Sequence, residues 1–110
     1  MKTRSRKIKS KRLSNYVRAR ILKAFPHLQQ IDVMLPPDGQ NGPDLILSRT
    51  AKKLIGWNFE LKNQERIATN YKWYAQACKN TKLSPVVVCK MNARSPLAIL
   101  DLDDFIDLIK

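Results

Sequence analysis

At 110 residues the chain has room for one compact core. Its 44% apolar content argues for a globular fold, and no apolar run is long enough to span a membrane. Of the formal charge of +12, residues 1–30 contribute ten Lys/Arg and no acid, while residues 31–110 carry eleven Lys/Arg against nine acids. A polyanion is the natural partner of such a surface, because neutralising phosphates releases counterions without any reading of bases. The charged N-terminus lacks the apolar block of a secretory signal, so a cytoplasmic protein is expected. Cys78 and Cys89 have no CxxC spacing and lie in apolar surroundings, which reads as two reduced core thiols.

Residues 1–9 have no periodicity and read as a flexible basic arm, leaving 10–110 as the folded domain. From Ser10 to Phe25 the chain reads as a helix, with apolar residues recurring at three- and four-residue steps (Leu13, Val17, Ile21, Ala24 and Leu28) and Pro26 discouraging continuation. "IDVML" predicts a strand, "PPDGQNGP" a turn, and "DLILS" a second strand that Asp44 opens. "RTAKK" reads as a turn, and "LIGWNFELK" as a third strand with Trp57, Phe59 and Leu61 on one face and Asn58, Glu60 and Lys62 on the other. A second helix is expected over 67–81. "PVVVC" predicts a strand covered on both faces, "LAIL" a fifth strand, and a short last helix follows, capped by Asp103 or its neighbour. The order α-β-β-β-α-β-β-α fits an α/β domain with a central mixed five-stranded sheet flanked by helices.

Residues two apart on a strand project to one side, so Glu60 and Lys62 are neighbours there, and a pairing of the second and third strands brings Asp44 to them. Two carboxylates make an oxygen-ligand set for Mg²⁺ or Mn²⁺, and a lysine beside them offsets charge developing on a phosphate. The plainer alternative is a cross-strand salt bridge at a sheet rim.

The pattern Pro43-Asp44 followed by Glu60-Leu61-Lys62 resembles the signature of the PD-(D/E)XK nuclease superfamily. With "FELKNQER", "WYAQACKN", "PVVVCK" and "LAILDLDDF", the stretch 9–109 resembles small phage and archaeal Holliday-junction resolvases. That resemblance implies a restriction-endonuclease-like fold, and Asp44, Glu60 and the main-chain carbonyl of Leu61 as metal ligands. It also implies Lys62 as catalytic lysine, a homodimer making paired symmetric nicks in four-way DNA junctions, no small-molecule cofactor, and a host-cell cytoplasmic location if phage-encoded. Such resolvases carry a glutamate on the first helix, whereas residues 1–31 hold no acid and Arg12 stands near its place. Either Asp38 substitutes from another direction, or the site is sparser than in such resolvases, or activity is reduced or lost; the bland role of Asp38 is that of a turn residue.

Gln64 and Gln76 are possible accessory residues. Arg4, Arg6, Lys7, Lys9, Lys11 and Arg12, with Lys53, Arg66 and Lys90, are candidate phosphate contacts; such contacts select shape rather than bases. Trp73 is expected on an exposed helix face or a dimer interface, and Tyr71 and Tyr74 in the core. His27 reads as a surface residue, and Asp101, Asp103, Asp104 and Asp107 as helix capping and solvation. The alternatives to a resolvase are another PD-(D/E)XK nuclease for nicking or repair, a non-catalytic nucleic-acid-binding module, and last a basic ribosomal-type protein.

Overall fold

The computed structural model describes residues 3–37, 44–63, 66–79 and 81–110, with side chains from Lys11 onward. The chain divides into two units, one formed by Met1–Asn63 with Ile109–Lys110 and the other by Gln64–Leu108.

In the first unit helix α1 (Thr3–Ala24) begins within the stretch expected as an arm. Its interior holds no Gly or Pro, and the helical bonding ends with Phe25 N–H on Ile21 O at 2.9 Å, one residue before Pro26. Val17 and Ile21 point inward at 1% and 0% exposure. Arg18, one position on from Val17, donates from Nη2 to Gln30 O at 2.8 Å and from Nε to Val33 O. It thereby fixes α1 to a 3-10 turn (Gln30–Asp32) and to strand β1 (Val33–Met34). Strand β1 pairs antiparallel with β2 (Ile46–Leu47) in the register Val33↔Leu47 and Met34↔Ile46.

Ser48 then starts helix α2 (Arg49–Ile55), accepting the Ala51 N–H at its hydroxyl at 3.1 Å. The same hydroxyl donates to Asp32 Oδ1 at 2.7 Å, and Ser48 N–H donates to Asp32 O at 2.9 Å. Helix α2 ends on Gly56 at φ 74°, a left-handed position where a side chain would be strained. Leu28, Val33, Leu45, Ala51, Ile55 and Phe59 join Val17 and Ile21 in the buried set.

The second unit holds helix α3 (Ala68–Cys78), a hairpin of β3 (Val86–Cys89) and β4 (Leu97–Leu100), and most of helix α4 (Leu102–Ile109). Strands β3 and β4 pair antiparallel from Val86↔Leu100 to Cys89↔Leu97, and α3 packs on both. The cap of α4 is Asp101, two residues before Asp103: its Oδ1 accepts the N–H groups of Asp103 at 2.8 Å and Asp104 at 3.2 Å.

The expected five-stranded central sheet is not formed. The described residues contain two separate two-stranded antiparallel sheets with four α-helices. The third strand accounts for most of the difference. Residues 49–55, read as turn and strand, fold as α2, because Ser48 caps them, Ala51 and Ile55 share a buried face, and Gly56 ends the helix. Residues 57–62 keep an alternation over their last part, with Phe59 buried and Leu61 half-buried between exposed Asn58, Glu60 and Lys62. Alternation sets side-chain faces, but a strand also needs a backbone partner, and the Leu61 N–H is taken by a side chain instead. Strand β3 is open on one face, with Val86 at 51% and Val88 at 68% exposure, so its apolar run does not mark two covered faces. Cys78 and Tyr71 are exposed rather than in the core, whereas Cys89 and Tyr74 are half-buried; both cysteines are free.

Candidate active site

Asp44 lies at the bend entering β2 and is half-buried. Its Oδ2 accepts the Leu61 N–H at 2.6 Å, a short bond to a charged acceptor. This single bond, across 17 positions, ties the acid of Pro43-Asp44 to the middle residue of Glu60-Leu61-Lys62. On either side of Leu61 the outward side chains pair, Lys62 Nζ lying 3.2 Å from Glu60 Oε1 with the two side chains 68% and 65% exposed. An exposed pair of this kind contributes only about 0–1 kcal/mol, so the fold loses little if Glu60 turns to another cation.

Asp44, Glu60 and the Leu61 carbonyl, the donors that the resemblance implies, are all oxygens, a chemistry that suits a hard divalent ion that keeps several waters and takes one or two carboxylates. The Leu61 amide holds one Asp44 oxygen against the segment that bears Glu60. By donor chemistry the residues fit Mg²⁺ or Mn²⁺. Among the described residues no group of three or more His, Cys, Asp and Glu side chains is placed to hold a metal ion.

Of the other sequence candidates, Asp38 and Gln64 lie outside the described residues, as do the side chains of Arg4, Arg6, Lys7 and Lys9. Lys11 and Arg12 are exposed on α1, Lys53 is exposed on α2, and Arg66 is exposed ahead of α3. Gln76 is exposed on α3 and borders a groove with Trp73 and Lys90 in the second unit. His27 is exposed, as expected of a surface residue.

Sequence reasoning missed the polar node that positions β2. Asp32 accepts the Gln29 N–H at 2.7 Å and the Ser48 hydroxyl at 2.7 Å. The Gln29 amide first, and Ser48 second, hold its carboxyl below the ordinary 3.8. The available signal was Ser48 standing before a run of helix formers, which is a cap signature. Arg18 carried no such signal, since its backbone acceptors are set by the fold. In the second unit, burial and then the neighbouring Cys78, Asp101 and Asp104 push the Tyr74 hydroxyl up from its ordinary value.

No protein-family model, curated protein or solved structure matches the chain. Among the described residues no helix is long and apolar enough to cross a membrane.

Proposed function

We propose that the chain is a metal-dependent, structure-selective DNA endonuclease, most concretely a cytoplasmic, homodimeric Holliday-junction resolvase with PD-(D/E)XK chemistry. The observation that carries this reading is the 2.6 Å bond from Leu61 N–H to Asp44 Oδ2, which joins the two halves of the motif. The reading rests on the site and on charge, and the five-stranded sheet forms no part of it.

Asp44, Glu60 and the Leu61 carbonyl would hold the ion; when bound, Mg²⁺ or Mn²⁺ polarises the scissile phosphate and makes hydroxide accessible at neutral pH. Leu61 N–H orients Asp44. Lys62, now on Glu60 at 3.2 Å, would orient the attacking water and offset charge on the phosphate. Lys11 and Arg12 on α1, with Lys53 and Arg66, supply exposed cations for backbone phosphates.

The Lys62–Glu60 ion pair favours one other reading, a DNA-binding module in which that pair is only a surface salt bridge. Labelled four-way junction and matched linear duplex, incubated with Mg²⁺, Mn²⁺ or EDTA and resolved on denaturing gels, separate the two. Paired symmetric nicks on the junction, lost with EDTA and in Glu60→Gln, are expected. Tight junction binding without nicks in either metal would refute the enzyme and leave the binding module.

A further inference from the structure

The second unit carries an open groove that the proposed cleavage chemistry does not use. Two adjoining cavities of about 760 and 610 Å³ share Trp73, Cys89 and Lys90 as walls. Trp73 projects from α3 at 41% exposure, an unusual cost for an indole, and Met91 and Leu97 continue the apolar lining at 71% and 67% exposure. Among the described residues of the lining, Lys90 and Arg94 are the charged ones and there is no acid. Lys90 Nζ donates once, to Met91 O at 3.2 Å, which uses one of three ammonium donors and holds the charge at the turn.

That turn is itself unusual. Arg94 N–H donates to Met91 O at 3.2 Å, closing a four-residue turn whose third residue, Ala93, sits at φ 61°. A left-handed alanine is strained, and Arg94 and Ser95, which follow it, line the same groove as Trp73.

We propose that this groove binds unpaired nucleotides of single-stranded DNA, with a base stacked on Trp73 and the adjoining phosphates on Lys90 and Arg94. An exposed aromatic face flanked by cations is the combination that single strands require, since every base offers a π-face and every phosphate a charge. An intact duplex hides its base faces and presents phosphates only, so it has no use for the indole. An apolar peptide would leave both cations without partners. The site stands on the groove alone; only the choice of DNA over another polynucleotide rests on the nuclease reading. Its consequence for that reading is a preference for branched DNA that exposes unpaired nucleotides near the branch.

The test uses the full chain with Trp57→Phe, which leaves Trp73 as the one tryptophan of the two in the sequence. Titration with dT12 and with a fully paired hairpin, followed by Trp73 emission and by anisotropy of labelled DNA, reads the site directly. Saturable quenching by dT12 and little by the hairpin is expected. In the wild-type background, Trp73→Ala should weaken dT12 binding about 5- to 150-fold, and Trp73→Phe should restore much of it. If Trp73→Ala fails to fold by circular dichroism, Lys90→Ala/Arg94→Ala decides: this surface pair should lower the salt dependence of dT12 binding by about 0.7 per lost contact. Wild-type dT12 affinity and salt slope in the folded variants overturn the proposal. So does a Trp73→Ala chain that becomes monomeric in ultracentrifugation while binding dT12 normally, which would make the groove an interface between copies. Junction nicking measured in parallel keeps the two proposals apart, because Glu60→Gln should stop nicking and leave dT12 binding unchanged.

Discussion

Among the described residues, α1, β1 and α2 of the first unit converge on Val17, Ile21, Leu28, Val33, Leu45, Ala51, Ile55 and Phe59, eight of the nine buried apolar residues; in the second unit only Ile106 of the described residues is buried to that degree. The first unit also anchors its polar groups on backbone, with Arg18 on two carbonyls, Asp32 on an amide and Asp44 on an amide. The second leaves Val86, Val88, Trp73 and Leu97 in solvent beside Lys90 and Arg94. A well-packed unit can hold a carboxylate in place for chemistry, since packed neighbours restrict its rotamers. An open apolar face with flanking cations suits a surface that something else completes. On the proposed readings, the first unit positions the site and the second docks the strand.

That division is most severely tested at Asp44. Asn at this position keeps an oxygen for the Leu61 N–H but removes the negative charge, so the fold is retained and the chemistry is not. Nicking by Asp44→Asn should fall by at least about 100-fold, with junction binding and thermal unfolding close to wild type. Unchanged nicking at wild-type stability would show that the short bond is structural only.

Packing separates the units next. Ile21 is fully buried, and Ile21→Ala should cost about 2–5 kcal/mol in chemical denaturation. Val88→Thr, at a position 68% exposed, should change stability by no more than about 0.5 kcal/mol. Equal losses at the two positions would mean that the hairpin face is covered in solution, most simply by another copy of the chain.

The same contrast governs what could be read from the sequence. Helices at α1, α3 and α4 and strands at β1 to β4 follow from periodicity and turn residues, because those signals are local. Asp44 and the Glu60–Lys62 stretch stand out in the sequence by residue type and spacing, and the structure links the two segments by the Leu61 N–H on Asp44. What failed was the strand over 54–62: alternation at Phe59 and Leu61 reports burial, while the capping by Ser48 and Gly56 that makes 49–55 a helix competes with it. Sheet order failed with it, because pairing depends on distant partners. The open face of β3 could not be seen either, since a run of valines looks the same whether one face is covered or two.

At the Asp32–Ser48 node the expected effects are smaller and depend on pH. The depressed Asp32 carboxyl stabilises the fold above its ordinary 3.8, and that contribution is lost as pH falls through the lower folded value. Ser48→Ala removes both the cap on Ala51 N–H and the hydroxyl on Asp32, and should cost about 0.5–2 kcal/mol at neutral pH. Carbon-detected NMR titration should find the Asp32 midpoint moved upward toward 3.8 but still below it, because the Gln29 amide remains. A midpoint that does not move would assign the whole depression to Gln29.

The slightest change is expected at Ala93, and it has the opposite sign. At φ 61° a Cβ meets the following carbonyl, and glycine removes that clash while adding freedom to the unfolded chain. The balance favours Ala93→Gly by about 0.5–1 kcal/mol in denaturant unfolding. If the strained turn exists to hold Arg94 beside Trp73, the stabilised variant should bind dT12 more weakly, because a glycine turn samples more conformations before the phosphate arrives. A gain in stability with a loss of dT12 affinity would tie the strain to the groove. A gain in both would make Ala93 merely a poor turn residue, and Arg94 would then reach its phosphate without help from the turn.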